Sequence, residues 1–250
     1  MLPKPLLAVV ACAASVSAHG YVEKITINGD SYVGYNPAIA PWVPVQDSIG
    51  WENWATDLGY VPSSTLQSPD IVCHLNSTNG IETAPIAAGD SIDLKWTGWA
   101  ESHHGPVMDY LANCGGDCTT VDKTTLEWFK IDELGQLELG PGGGKPGVWA
   151  TDKLFDTNYT WTVNIPATIK PGNYVLRHEL VGLHGAYDEG GAQFYPQCVN
   201  LEISGDGTET PKGTVGTKLY KSDDPGVLYD IYGDQNKPTY IIPGPPLYNA

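Results

Sequence analysis

Six histidines carry most of the metal-binding chemistry open to this chain. His19 follows a stretch that reads as a removable leader. A histidine at a chain terminus offers two nitrogens, its α-amine and its imidazole Nδ1, which can close a chelate on one ion. No internal residue can do that. A second candidate lies in Ser102-His103-His104-Gly105-Pro106, where a loop enters an apolar run and Pro106 pushes Gly105 toward an extended or turn conformation. One imidazole from this segment would complete a T-shaped set of three nitrogens. An N-rich tetragonal arrangement suits Cu(II), whereas zinc prefers a tetrahedral set. Adjacent histidines also sit solvated on loops, and removal of any leader exposes some residue. Spacing alone therefore leaves the metal reading and the surface reading both open.

The compartment follows from the first eighteen residues. Lys4, the apolar run from Leu6 to Ala14, and the small residues Val16-Ser17-Ala18 form the three parts of a secretory signal peptide over residues 1–18. A cut after Ala18 makes His19 the first residue, whereas a cut after Ser17 would place it behind an alanine. The run is too short for a membrane span, which needs about 20 apolar residues, and no later stretch approaches that length. The expected product is secreted and extracellular.

Without the leader, 12 Lys+Arg face 29 acids for a net charge of −17, and four cysteines remain. That charge excludes a phosphate backbone or an anionic membrane surface as partner, because nothing replaces their counterions. An even cysteine count in a secreted chain implies two disulfides. Asn113-Cys114-Gly115-Gly116-Asp117-Cys118 is suited to turn back on itself, since two glycines relieve a tight loop. The pairing expected is Cys114 with Cys118 and Cys73 with Cys198. N-x-S/T sequons at Asn76 and Asn158 are candidate glycosylation sites in the same compartment.

The elements that must position these groups are strands. Of the 250 residues, 29 are Gly, 20 Pro, 8 Trp and 14 Tyr, with 41% hydrophobic, a balance of compact, loop-rich β proteins that leaves no room for long helices. Apolar and polar residues alternate over Tyr159–Ile165, Ile92–Trp96 and Val199–Ile203. Further strands are expected at Val22–Ile27, before an Asn28-Gly29 turn, and at Val107–Ala112, Trp128–Ile131 and Tyr174–Leu183. Seven or more short strands predict an all-β sandwich of the immunoglobulin/fibronectin-like kind. Long loops over 31–60 and 204–250 are candidates for shaping a functional surface. With no repeat and no Ser/Thr-rich linker, residues 19–250 read as a single domain with no appended carbohydrate-binding module.

Four segments together resemble one family. His19-Gly20 after the leader, Ser102-His103-His104-Gly105-Pro106-Val107 with Tyr110-Leu111-Ala112, Gly191-Ala192-Gln193-Phe194-Tyr195-Pro196-Gln197-Cys198, and the terminal Tyr240-Ile241-Ile242-Pro243-Gly244-Pro245-Pro246-Leu247-Tyr248 are similar to the fungal lytic polysaccharide monooxygenases of auxiliary activity family 9. Pro171-Gly172-Asn173-Tyr174 through Arg177-His178-Glu179 and Leu183-His184 fit the same pattern. The resemblance spans essentially the whole chain after the leader and shows no departure at the expected copper positions.

The resemblance implies that His19, by amine and imidazole, and His103 hold one copper ion, with the Tyr195 phenol near the axial position. His104 is then not a ligand. It implies that His184 and Gln193 hydrogen-bond oxygen species beside the metal, and that exposed aromatics stack on sugar rings, with Trp42 and Tyr232 as candidates and Tyr35 and Tyr229 behind them. Read from the residues alone, His184 is equally a core histidine at a strand end, Tyr195 a core aromatic beside Cys198, and any loop aromatic ordinary packing. His178 and His74 are read as structural. The implied activity is oxidative cleavage of β-1,4-glucan, cellulose and related hemicellulose, by hydroxylation at C1 or C4, using an external electron donor and O2 or H2O2, in a monomer.

Two other classes stand beside this one. A glycoside hydrolase would need a carboxylate pair flanking the scissile bond. None of the 29 acids sits in a recognisable motif of that kind. A secreted copper- or carbohydrate-binding module would keep the metal site without turnover, but the presence of both His184 and Gln193 argues for turnover.

Overall fold

The computed structural model describes residues 19–236 and 239–249; the expected signal peptide lies outside the described residues. The strands among them are β1 (Val22–Ile27), β2 (Asp30–Val33), β3 (Val61–Pro62), β4 (Ala84–Ala87), β5 (Ser91–Trp96), β6 (Val107–Asn113), β7 (Glu127–Leu134), β8 (Gln136–Glu138), β9 (Val148–Trp149), β10 (Thr160–Asn164), β11 (Gly172–Gly182), β12 (Gln193–Ser204) and β13 (Thr214–Val215). One sheet has the order β10-β5-β1-β2 and the other β13-β7-β6-β11-β12-β3, with β4 added in parallel to the far half of β12 and β8-β9 forming a separate ribbon. The only helices described are short, including the one-turn α1 (Asp70–Cys73) and α2 (Lys153–Asp156). The fold is the all-β sandwich expected.

Two strands depart from the sequence reading, each for its own reason: β2 is a largely exposed edge strand of the smaller sheet, and β12 is covered on both faces. β12 begins six residues before the alternating run Val199–Ile203, and β2 occupies the start of what reads as a loop. Along Gln193–Cys198 nearly every side chain is buried or half-buried, so no apolar/polar alternation marks that half of the strand. The reason is that the larger sheet is covered on both faces. Leu111, Leu176, Tyr195 and Leu201 face the other sheet, while Met108, Tyr110, Val175 and Phe194 face an outer core closed by Trp51, Leu66, Val72, Leu219, Tyr220 and Tyr240. Much of the two long loops is therefore cover for a sheet, and the buried Arg177–Glu179 pair holds the later one from within through the Tyr220 hydroxyl. The Arg177 guanidinium also donates to the carbonyls of Ile71 and Val72 at 2.7 and 2.8 Å.

Cys73 pairs with Cys198 and Cys114 with Cys118. The first bridge, buried at both ends, ties α1 to β12 three residues from Tyr195. Asn76 and Asn158 both stand exposed in the left-handed region, at φ 49° and 51°.

His74 is buried, and its φ of 85° and ψ of 178° place it in backbone space nearly restricted to glycine. Its Nδ1 accepts from the Leu75 N–H at 2.9 Å. Burial pushes its pKa down to about 4, against the Gly59 backbone and the carboxylates of Asp70 and Asp57, which favour the charged ring. The unfolded ring titrates near 6.5, so between pH 6.5 and 4 the unfolded chain binds a proton that the fold refuses. Stability should fall with acid through that window by roughly 3 kcal/mol and lose nothing more from this group below it. Urea denaturation between pH 7 and 4 should show a shallower fall for His74→Gly, which removes the titrating group and relieves the backbone. Parallel slopes in the two proteins would contradict this account.

Candidate metal centre

Antiparallel pairing brings five segments to one end of the sandwich. The start of β1, the end of β5, the start of β6, the end of β11 and the start of β12 all lie there. His19 precedes β1, His103 lies between β5 and β6, His184 follows β11, and Gln193 and Tyr195 open β12. Residues 165 positions or more apart at the extremes thus become neighbours through strand order alone.

Glycines fix the approach. The Tyr21 carbonyl accepts from Thr97 N–H at 3.0 Å, and a Cβ at Gly20 would fall 2.3 Å from the Gly98 carbonyl oxygen, so only glycine can follow His19 here. A Cβ at Gly105 would lie 1.9 Å from the Val181 oxygen. That contact lets the His104 carbonyl accept from Leu183 N–H at 2.8 Å, which sets His103 against His184. The glycine of the His103-x-Gly105-Pro106 sequence is thus a packing requirement.

The resulting cluster is aromatic and mostly buried. The His103 ring lies 5.2 Å from His19, nearly perpendicular to it, and 4.0 Å from His184. The Tyr195 ring stacks at 5.8 Å from His19, and its hydroxyl donates to Gln193 Oε1 at 2.7 Å. His103 Nδ1 is 3.1 Å from Ser102 Oγ, while its buried Nε2 has no hydrogen-bond partner; nor has the buried Nδ1 of His184. Burial, with the nearby His184, His19 and His104 rings, pushes the His103 pKa down to about 3. Burial lowers those of His184 and His19 as well, with Asp57 working the other way on His19. Burial, Tyr60 and Asp57 raise that of Tyr195, so its phenol stays protonated.

These features fit a metal. A neutral imidazole with an unpartnered buried nitrogen is a donor awaiting an acceptor, since such a group is costly to leave unpaired. Imidazole nitrogens bind first-row ions at about 2 Å, which puts each ring centre roughly 3 Å from the ion, so rings 5.2 Å apart can share one. Among the described residues no three His, Cys, Asp or Glu side chains group as metal ligands. A site built on two histidines and a chain-terminal amine does not require a third.

The remaining candidates are placed differently. His104 turns away, with Nδ1 bonded to Asp152 Oδ1 at 2.8 Å. His178 is internal, as read: its ring bonds Asp109 Oδ1 at 2.7 Å and accepts from Trp96 Nε1 at 3.0 Å. Trp42 stands 78% exposed on its loop. Tyr35 is buried and donates to the Pro44 carbonyl, so it holds the loop that carries Trp42 and offers no stacking face, a correction to the sequence reading. Tyr229 packs edge-on against Trp149 and Tyr240.

Two residues near the site escaped the sequence. Tyr232 lies 6.5 Å from Tyr187, which is 56% exposed three positions after His184, and the Ala186 carbonyl accepts from Tyr229 N–H at 2.8 Å to dock their loops. An aromatic so close to His184 in a glycine-bearing turn was the available signal. Trp99, with its ring 5.6 Å from His103 and 4.9 Å from Tyr195, carried none.

Comparison with known proteins identifies the family of the chain. The sequence profile of Auxiliary Activity family 9 (formerly GH61) matches residues 19–240. The AA9 family lytic polysaccharide monooxygenase A of Thermoascus aurantiacus is 51% identical over 233 residues, covering 93% of this chain and 100% of that protein. Its namesake from Talaromyces verruculosus is 52% identical over 246 residues, covering 98% of this chain and 74% of the relative. The solved extended catalytic domain of H. jecorina LPMO9A superposes with a TM-score of 0.86 at 48% identity, over 92% of this chain and 90% of that one. The chain belongs to Auxiliary Activity family 9, the lytic polysaccharide monooxygenases.

Proposed function

We propose that the secreted chain, cut to begin at His19, holds one copper ion through the amine and imidazole of His19 and Nε2 of His103, and oxidatively cleaves β-1,4-glucan by hydroxylation at C1 or C4. The observation that carries this reading is the buried, unpartnered His103 Nε2 in a ring 5.2 Å from that of His19, in a chain of this family. Copper supplies the redox chemistry that a glycosidic C–H bond demands and that acid/base side chains lack, with electrons from an external donor and O2 or H2O2 as co-substrate. The two disulfides fit an oxidising compartment, and among the described residues no helix is long and apolar enough to cross a membrane. Asn76 and Asn158, both exposed, are the proposed glycan sites, and the working unit is a monomer.

The protein groups divide the remaining work. The Ser102 contact to His103 Nδ1 orients the ring and leaves Nε2 for the metal. The protonated Tyr195 phenol, which would stand beside the ion, gives its hydrogen to Gln193 Oε1. That leaves the Gln193 amide N–H groups to donate to an oxygen co-substrate, a role proposed also for the His184 ring, which lies 4.0 Å from His103. Tyr187, Tyr232 and Trp42 supply ring faces for sugar stacking on an open surface.

Mass spectrometry of soluble products from cellulose should find oxidised oligosaccharides only when ascorbate and copper are both present. Unmodified oligosaccharides released without reductant would overturn the reading in favour of hydrolysis. His184→Ala and Gln193→Ala should keep copper affinity and melting temperature near those of the parent and lose oxidative products by about 10- to 100-fold. A purely structural role would instead cost about 1 to 3 kcal/mol and lower the melting point by several degrees.

A further inference from the structure

Trp99 touches both halves of the candidate site from behind. Its ring meets Tyr195 edge-on at 4.9 Å and 79° and His103 at 5.6 Å and 81°. Its indole N–H donates to the His103 carbonyl at 2.9 Å, an oxygen that also accepts from Thr151 Oγ1 at 3.1 Å. The His103 main chain and the Tyr195 ring thus share one rigid support.

That support is itself anchored across the sandwich. Trp99 packs edge-on against Trp96 at 5.8 Å, and Trp96 Nε1 donates to His178 Nε2 at 3.0 Å. Because Nε2 accepts, the proton of the neutral ring sits on Nδ1, which bonds Asp109 Oδ1 at 2.7 Å. The other Asp109 oxygen accepts from Trp161 Nε1 at 3.2 Å. Trp96 and Trp161 belong to one sheet and His178 and Asp109 to the other. Fully partnered polar chains of this kind specify one arrangement of a core that apolar packing alone leaves loosely determined.

We propose that Trp99 is a positioning residue of the copper site, fixing the His103 backbone through its N–H and the Tyr195 phenol through its ring, with the Trp96–His178–Asp109 chain holding it in place. The inference rests on the copper reading above. Outer groups that orient ligands commonly change metal affinity by about 10- to 100-fold when removed, and here one group orients a proposed ligand and the Tyr195 phenol together.

The test uses protein that begins at His19, loaded with one equivalent of Cu(II), in the parent and in Trp99→Phe, Trp96→Phe and Trp128→Phe. Trp128 is an equally buried indole in the outer core, so its variant makes the same chemical change away from the site. Electron paramagnetic resonance of Cu(II) and calorimetric copper titration are read alongside melting temperature. The expected result is an altered Cu(II) spectrum and affinity lower by about 10-fold or more in Trp99→Phe. A smaller change of the same kind is expected in Trp96→Phe and none in Trp128→Phe, whatever each does to the melting point. If Trp99→Phe does not fold, Trp96→Phe against Trp128→Phe decides. Superimposable spectra with affinities within about twofold of the parent would overturn the inference and leave the copper reading intact. So would equal shifts in the Trp96 and Trp128 variants. A parent that binds no copper would remove the reading on which the inference stands.

Discussion

His103→Ala should weaken copper binding by about a thousandfold, while His104→Ala should leave it within about tenfold of the parent. The size follows from taking the about 10 to 16 kcal/mol of a structural zinc site as the scale and sharing it among three or four donors, so that each carries roughly 4 kcal/mol, or three decades of affinity. The ranking follows from direction. His103 Nε2 is buried with no partner, and burial keeps the ring neutral down to about pH 3, so its lone pair is available under any ordinary condition. His104 spends its Nδ1 on Asp152, whose carboxylate also accepts from the Trp149 N–H. Calorimetric titration of both variants measures the difference. The opposite order would mean that the ligand is the other histidine of the pair.

A chain beginning Ala18-His19 should lose copper affinity on the same scale, because an amide nitrogen in place of the amine breaks the chelate. The side chains and the fold would be unchanged, so the melting temperature of the copper-free protein should not move. The amine also sets the acid limit of the site. Its ordinary pKa lies at about 7.7 to 8, so apparent affinity should fall roughly tenfold per pH unit below that range. Protein extended by one residue that kept parent-like affinity and activity would remove the His19 amine from the ligand set and with it the chelate. Titrations of the two forms between pH 5 and 8 settle the point.

The residues that could be read from sequence are those whose reasons are local. His19-Gly20 and His103-x-Gly105-Pro106 stand out as particular residue types at fixed spacing, whereas the reason for their glycines, close approach to Gly98 and Val181, appears only in the fold. Half-buried strands such as β5 and β10 announced themselves by alternation. The first half of β12 did not, since a strand covered on both faces has no polar side to display. Trp99 was silent because its importance lies in touching a strand almost a hundred residues away. Loop aromatics misled in one case: Tyr35 lies in a long loop, but its ring faces inward. Composition cannot separate a loop that meets solvent on both sides from one that roofs a sheet.

The buried Cys73–Cys198 bridge has a consequence if, as proposed, the enzyme draws its electrons from an external donor. Thiol–disulfide exchange needs the attacking thiolate to reach a sulfur, and neither sulfur of this bridge is open to solvent. Cys114, by contrast, is half-exposed in its five-residue loop. A thiol donor therefore meets the Cys114–Cys118 bridge first, at a loop that bears no part of the metal centre. The strand that carries Tyr195 remains clamped under the reducing conditions that the proposed chemistry calls for.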